Sequence, residues 1–216
     1  TGDTKVVNKG HGDGVYINTA GVGVVPAGID LSGAHCAPGD RIVLSGTLGD
    51  HGITVISERE GLAFQTTLKT DAAPLNHLVA DVLEAAPHTR CFRDPTRGGL
   101  ASTLNELSAQ SHVSMTVEES DVPVKPEVIG ACEMLGYDVF QVANEGKMVA
   151  VVPADEADAA LAAMRSSRYG SDAAIIGEVS APDEMSEGQP KVFVRTPFGS
   201  CRIMDMLVGE QLPRIC

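Results

Sequence analysis

Hydrophobic residues in the middle of the chain follow two alternating patterns. Short runs of apolar, mostly β-branched residues predict β-strands, because such side chains pack well on a pleated sheet. These runs lie at 41–45, 113–118, 147–152, 173–179 and 191–195. Between them, apolar residues recur three and four positions apart, which indicates amphipathic helices.

Polar residues, prolines and glycines delimit five predicted helices. Asp50, Asp71 and Asp94 are each predicted to cap a helix, with Pro95 at the first helical position after Asp94. The helices are expected from Asp50 to about Glu60, from Asp71 to just before Pro87, from Asp94 to beyond Leu107, from Pro126 to Gly136, and over 154–165.

Alternating strands and helices of this length predict an α/β fold in which helices pack on a mixed sheet. The turn at Pro38-Gly39-Asp40 favours a domain boundary near residue 33. Residues 1–33 are then predicted to be the edge of a larger unit. Residues 34–190 form the α/β domain, and 191–216 a final strand followed by an aperiodic tail.

Composition narrows the class of protein. Of the 216 residues, 43% are hydrophobic, which is enough for one large globular domain. The formal net charge of −13 argues against a nucleic-acid partner, because binding to the phosphate backbone of a nucleic acid needs clustered cations. No apolar run approaches the ~20 residues that a membrane span needs. The 5 cysteines contain no CxxC pair, which argues against a disulfide framework or zinc site and favours a reducing cytoplasm.

The first candidate site is the segment Thr1 to Lys5. Asp3 could bind magnesium through its carboxylate, Thr4 could contact phosphate oxygens, and Lys5 could supply a positive charge. As a bare string, however, the segment fits a solvated turn better than a nucleotide site.

The second candidate site is the segment Asp94-Pro95-Thr96-Arg97-Gly98-Gly99. Glycines and a hydroxyl at a helix N-terminus favour anion binding, because backbone N–H groups and the helix dipole both point toward the ligand. Arg97 adds a bidentate phosphate donor. An equally good interpretation is that Asp94 only caps the helix and that the glycines allow close packing.

Two titratable residues are weaker candidates. Glu145 lies in the turn Asn144-Glu145-Gly146-Lys147 before an apolar strand, where a partly desolvated carboxylate could act as a general base. His51 lies in the first turn of a predicted helix. Most residues of either kind are merely solvated surface groups.

The chain ends in Pro213-Arg214-Ile215-Cys216, so its last residue is a thiol on an aperiodic tail. A prenylation signal would need the cysteine four residues from the end, so the spacing excludes lipidation. The tail favours a chemical use of Cys216, whereas the other cysteines are expected to be small packing residues.

Six segments together resemble one family: TGDTKVV, GTLGDHGI, SEREGL, DPTRGGLA, NEGK and MLVGEQLPRIC. In this order, over the whole chain, they are similar to the HypE hydrogenase maturation factors. These are ATP-dependent carbamoyl dehydratases of the aminoimidazole ribonucleotide synthetase-like (PurM-like) superfamily. The PRIC ending is the most specific of the six.

The resemblance implies a function for the terminal thiol. In that family the last cysteine receives a carbamoyl group from HypF, and ATP-dependent dehydration converts it to a thiocyanate. The cyanide then passes to iron on the HypC–HypD complex, for the [NiFe] hydrogenase centre. By resemblance Cys216, Lys5, Glu145 and His51 are catalytic.

The remaining implied roles concern ATP and Mg²⁺. Asp3 and Asp94 would hold the metal ion, and Thr4, Thr96, Arg97, Gly98 and Gly99 would bind the nucleotide. The family carries a further ATP-binding domain upstream and binds nucleotide at a homodimer interface. The resemblance therefore implies that residues 1–33 are the end of that domain and that this chain alone binds ATP weakly.

Two other functions stay open. A selenophosphate or aminoimidazole ribonucleotide synthetase of the same superfamily would need no terminal thiol. A non-catalytic docking module would recruit maturation partners without chemistry.

Overall fold

The computed structural model describes residues 9–10, 20–59, 68–182 and 186–206. No helix in these ranges is both long enough and apolar enough to cross a membrane. Most of the segment before residue 20, the predicted helix end near Glu60 and the final residues from 207 lie outside the described residues.

Within the described residues, seven strands form one mixed sheet. They are β1 (Arg41–Leu44), β2 (Cys91–Arg93), β3 (Ser114–Glu118), β4 (Val149–Val152), β5 (Ala174–Ser180), β6 (Val192–Arg195) and β7 (Cys201–Ile203). Their order across the sheet is β2-β4-β1-β5-β3-β6-β7. Every neighbouring pair is antiparallel except β3 and β6, which are parallel.

The described part of the chain has five α-helices beside the sheet: α1 (Asp50–Arg59), α2 (Asn76–Ala85), α3 (Gly99–Ser111), α4 (Pro126–Leu135) and α5 (Ala157–Ser166). Alternate residues of β1 face opposite layers, as the pleat requires. Ile42 and Leu44 belong to the core that contains Leu104 of α3. Val43 belongs to the core that contains Val82 of α2 and Met164 of α5. The sheet therefore lies between α3 on one face and α2 with α5 on the other.

Helices α1 and α4 pack together in a third, smaller core. Ile53 of α1 and Val128, Ala131 and Cys132 of α4 are buried there with Val142. Burial raises the pKa of the Cys132 thiol to about 11. This small core fixes the start of α1 beside the segment that precedes β4.

The predicted α/β class is confirmed, but two predicted caps are wrong. Helix α2 begins at Asn76, five residues after Asp71, and α3 begins at Gly99, five residues after Asp94. The pattern of apolar residues located both helices, but neither aspartate caps one. Asp71 accepts the N–H of the distant Glu145, and Asp94 accepts hydrogen bonds from its chain neighbours Arg93 and Thr96. Strands β2 and β7 were not predicted, because each has only three residues.

The predicted tail begins too early. Strand β7 pairs with β6, and Met204 is 2% exposed and donates its N–H to the carbonyl of Val192. Asn105 of α3 donates its side-chain amide to the carbonyl of Met204 at 2.7 Å. The division predicted at residue 190 also separates β6 from β3, its neighbour in the sheet. The domain therefore continues to at least residue 204.

Two cysteines meet in the larger core. The sulfur atoms of Cys36 and Cys91 lie 3.8 Å apart, and both residues are buried. Their mutual hydrogen bond lowers the pKa of Cys36 and, together with burial, raises that of Cys91. The predicted packing role is confirmed for Cys36, Cys91 and Cys132 but is wrong for Cys201, which is exposed.

We expect Gly177→Ala to destabilise the fold. A Cβ atom at position 177 in β5 would lie 2.1 Å from the carbonyl oxygen of Thr116 in the adjacent strand. Relieving that overlap requires the two strands to shift, which should lower the free energy of unfolding by about 2 kcal/mol in urea titrations.

The control is Gly130→Ala in α4, where a Cβ atom meets nothing within 4 Å. Alanine there should raise stability by about 0.5–1 kcal/mol, because it restricts the unfolded chain and favours the helix. Equal stabilities of the two variants would contradict the proposed strand overlap.

Candidate functional site

The site candidates within the described residues gather at one end of the sheet. Leu44, the last residue of β1, pairs with Val149, the first of β4. Arg93, the last residue of β2, pairs with the same Val149 from the other side. The segments that follow β1 and β2 and the turn that precedes β4 must therefore meet there. These segments carry His51, residues 94–99 and Glu145.

The buried side chain of Asn144 joins these three segments. Its Oδ1 accepts the N–H of Gly49 at 2.8 Å, and its Nδ2 donates to the carbonyl of Pro95 at 3.0 Å. Nδ2 also donates to the carbonyl of Val142 at 2.9 Å, and the Asn144 backbone N–H donates to Pro95 at 3.1 Å. Asn144 is 0% exposed. One amide therefore satisfies buried backbone groups from three parts of the chain.

The loop at 94–99 presents charged groups to solvent. The Asp94 carboxylate accepts hydrogen bonds from Arg93 at 2.8 Å and from the Thr96 hydroxyl at 3.0 Å. A hydrogen bond to Glu106 raises the pKa of Arg93. Arg97 is exposed and has no hydrogen bond or ion pair with any described residue. Its guanidinium is therefore available to a ligand.

Glycine is required at the start of α3. Gly98 is the N-cap, with φ 72°, and no side chain among the described residues caps the helix there. Gly99 has φ 60°, and a Cβ atom would lie 2.5 Å from the carbonyl oxygen of Phe140. A helix N-terminus without a side-chain cap, beside an available arginine, suits an anion.

The Glu145 carboxylate is directed into the protein. Its Oε1 is buried and has no hydrogen-bond partner within the described ranges. The Glu145 backbone N–H donates to Asp71 Oδ1 at 3.0 Å. Asp71, predicted as a helix cap, is instead bonded to this turn. A buried carboxylate oxygen without a partner can accept a proton or bind an N–H donor.

His51 lies in the first turn of α1, as predicted. Its Nδ1 is 2.8 Å from the Thr70 hydroxyl, and its Nε2 is buried without a partner in the described part of the chain. Since Thr70 precedes Asp71, a path of adjacent residues and hydrogen bonds runs from His51 to Glu145. It continues through Asn144 to Pro95, in the loop that carries Asp94, Thr96 and Arg97.

A cleft of about 390 Å³ opens beside this path. Its cationic lining residues are Lys69, Lys125, Lys147 and Arg168. Asp50 is buried in its wall, with Oδ2 bonded to Lys125 at 2.8 Å and Thr47 at 2.6 Å, and Oδ1 without a partner among the described residues. The lining also includes the carboxylates of Asp50, Asp71 and Asp172, so the cleft is polar and carries charges of both signs.

Asp3, Thr4, Lys5 and Cys216 lie outside the described residues. The described ranges also contain no group of three metal-ligating His, Cys, Asp or Glu side chains. The sequence predicted no site role for Asn144, and it predicted Asp71 only as a helix cap. In the sequence, Asn144 is marked by its position beside Glu145 and before a buried strand. The roles of Asn144 and Asp71 depend on tertiary contacts.

Comparison with known proteins identifies the domain. The AIR synthase related protein, C-terminal domain family matches residues 37–187. The chain belongs to this family. Membership in the AIR synthase related family confirms the predicted superfamily and agrees with helices packed on a mixed sheet.

Several relatives and solved structures carry a more specific name, HypE. Carbamoyl dehydratase HypE from Cupriavidus necator is 56% identical over 216 residues, covering all of this chain and 60% of that protein. A solved hydrogenase maturation protein HypE in complex with ATP is 44% identical with a TM-score of 0.81, covering 86% of this chain and 55% of that one. A solved HypE–HypF complex matches at 43% identity and a TM-score of 0.78, covering 83% and 57%.

This chain matches only part of the length of each of these relatives. This AIR synthase related chain spans about 60% of the length of the curated relatives that it matches. The predicted resemblance to HypE is confirmed at the level of sequence and fold.

We expect Asn144→Ala to weaken the join between the three segments. The variant leaves the Gly49 N–H and the Val142 carbonyl without their side-chain partner, which should lower the free energy of unfolding by about 1–3 kcal/mol. Chemical denaturation measures the loss. Asn76→Ala, at an exposed residue of α2, is the control and should change stability by no more than about 0.5 kcal/mol. Similar values for both variants would refute the role of Asn144.

Proposed function

We propose that the protein, at the length of its relatives, is an ATP-dependent carbamoyl dehydratase whose substrate is a carbamoyl group on its own Cys216. Two observations outside the site support this: a relative named carbamoyl dehydratase at 56% identity, and a related structure in complex with ATP. The observation that carries the proposal is the hydrogen bond that joins Arg97's loop, at Pro95, to Asn144, the residue before Glu145, whose Oε1 is buried without a described partner.

The proposed reaction converts –S–C(=O)–NH2 to –S–C≡N. The C–O bond breaks, both N–H protons leave, and the carbon–nitrogen bond becomes triple. The nucleotide supplies a phosphoryl group that makes the amide oxygen a better leaving group. The oxygen leaves as part of phosphate, so the atoms of one water are removed from the cysteine adduct.

The described residues supply three functions. Glu145 Oε1, buried without a described partner, accepts an N–H proton of the amide. Arg97 and the uncapped start of α3 bind phosphate oxygens. His51 presents a buried Nε2 close to the same path and contributes a hydrogen bond to the reacting group. Lys5 is proposed to lie beside the reacting oxygen.

The residues fit a nucleotide better than they fit a metal ion. The available Arg97 and the glycine-rich start of α3 suit phosphate oxygens. Asp94 is one carboxylate, already bonded to Arg93 and Thr96, and the described residues offer no three-residue metal cluster. A magnesium site at Asp94 therefore needs ligands from outside the described residues, with Asp3 the proposed one.

The proposed partners follow from the same chemistry. HypF would supply the carbamoyl group, since a related HypE forms a complex with HypF. The HypC–HypD complex would accept the cyanide, and the full-length protein would act as a homodimer. A reducing cytoplasm is the proposed location, from the cysteine spacing in the sequence.

The chemistry is tested by mass spectrometry of the C-terminal peptide. Full-length protein incubated with HypF, carbamoyl phosphate and ATP should gain a carbamoyl group and then lose one water. Glu145→Gln should gain the carbamoyl group but dehydrate about 10²–10⁴-fold more slowly, because the general base is lost.

Cys216→Ser is the companion variant and should yield no thiocyanate, because it lacks the sulfur. A synthetase that acts on a separate substrate would not depend on that thiol, and a docking module would show no ATP-dependent mass loss. An activity that does not depend on the Cys216 thiol, or the absence of an ATP-dependent mass loss, would overturn the proposed function.

Nucleotide binding is expected to depend on chain length. If the ATP site needs residues upstream, isothermal calorimetry should show much weaker ATP binding to these 216 residues than to a chain of the relatives' length. Arg97→Ala in the longer chain should weaken binding by about tenfold, because a charge-assisted hydrogen bond is lost. Equal affinities for the short and long chains would refute the dependence on length.

A further inference from the structure

We propose that Asp71 is a positioning residue for Glu145, and that residues 69–73 form a strap which holds the Glu145 turn in its reactive geometry. This inference rests on the proposed function, because it assigns the strap a role in that reaction. Asp71 belongs to none of the sequence motifs that carried the functional prediction.

The first observation is the hydrogen bond from the Glu145 N–H to Asp71 Oδ1, at 3.0 Å. The Asp71 side chain is only 3% exposed. Burying a carboxylate is costly unless its partners compensate, so this one has a specific place in the fold. Asn144, the residue before Glu145, is anchored too, because its backbone N–H donates to the carbonyl of Pro95. The backbone on both sides of the Glu145 side chain is therefore held.

The second observation is the closeness of the strap to the turn. A Cβ atom on Gly146 would lie 1.7 Å from the carbonyl oxygen of Asp71 and 2.8 Å from the backbone nitrogen of Ala73. Only glycine fits at this position without moving the strap. The strap is thus packed directly on the turn, and its position cannot change independently of Glu145.

The third observation is that the strap also contacts the other titratable candidate. Thr70 is bonded to His51 Nδ1 at 2.8 Å, while the neighbouring Asp71 is bonded to the Glu145 backbone. Both candidates keep a buried atom without a described partner, Nε2 of His51 and Oε1 of Glu145. Two adjacent strap residues therefore hold two groups that each keep a buried polar atom unpaired among the described residues.

The second carboxylate oxygen of Asp71 has an electrostatic partner. Asp71 Oδ2 lies 3.7 Å from Lys147 Nζ, beyond hydrogen-bond distance, and has no other partner in the described residues. Lys147 is on the same turn, two residues after Glu145. The Asp71 carboxylate thus contacts the turn at both ends, by a hydrogen bond at residue 145 and by charge at residue 147.

The test separates the hydrogen bond from general damage. In Asp71→Asn, the amide oxygen can still accept the Glu145 N–H, whereas Asp71→Ala removes the acceptor. With the full-length protein, HypF, carbamoyl phosphate and ATP, the measured quantity is the rate at which carbamoylated C-terminal peptide loses water. Carbamoylation itself reports that each variant is folded and meets HypF. Asp81→Ala, at an exposed residue of α2, is the control.

We expect Asp71→Ala to slow dehydration about 10- to 100-fold, because small misplacements of a reacting group have effects of this size. Asp71→Asn should stay within about threefold of the unmodified protein, and the ATP concentration for half-maximal rate should change by less than about twofold in both variants. Asp81→Ala should match the unmodified protein.

Three outcomes would overturn the role of Asp71. They are unchanged dehydration in Asp71→Ala, equal slowing in the alanine and asparagine variants, and a loss that high ATP concentration restores. The dehydration rate of Glu145→Gln distinguishes failure of the Asp71 proposal from failure of the proposed function. If that variant dehydrates normally, Glu145 is not the base. If it is inactive while Asp71→Ala is normal, only the strap proposal fails.

Discussion

The arrangement of the site depends on the buried amide of Asn144. Three segments that are far apart in sequence end at the same edge of the sheet, and each brings a backbone group that needs a partner away from water. Asn144 supplies an acceptor to Gly49 and donors to Pro95 and Val142. An aliphatic side chain could fill the same space but could not satisfy these groups. The loops that carry His51, Arg97 and Glu145 are therefore held together by hydrogen bonds to main-chain atoms.

Antiparallel pairing explains why the candidates gather in one place. Neighbouring strands that run in opposite directions bring the end of one beside the start of the next. Residues that follow β1 and β2 and residues that precede β4 thus share an edge, although 95 positions separate Gly49 from Asn144. The conformation of the site is a consequence of the sheet order. The loops contribute the chemical groups, and the strands determine which loops can meet.

Much of the fold could be predicted from the sequence, because most elements carry a strong local signal. The helix from Pro126 ends at Gly136 as expected, since proline and glycine mark those positions through backbone geometry alone. The three-residue strands β2 and β7 have no comparable signal and exist only because neighbours pair with them. Asp71 and Asp94 look like helix caps in sequence, but the Asp71 carboxylate has a tertiary partner at Glu145 and the Asp94 carboxylate is bonded within its own loop. Candidate residues could be named from motifs, whereas Asn144 and Asp71 became visible only when distant segments were placed side by side.

The distribution of charge has a further consequence for association kinetics. The cleft gathers Lys69, Lys125, Lys147 and Arg168, yet the whole molecule carries a net charge of −13. A polyanion in dilute buffer meets long-range repulsion before it reaches these cations. At physiological ionic strength the Debye length is about 8 Å, so the repulsion is screened while close contacts inside the cleft persist. Moderate salt should therefore speed the encounter with an anionic ligand, opposite to the behaviour of proteins that steer their ligands by an attractive overall field.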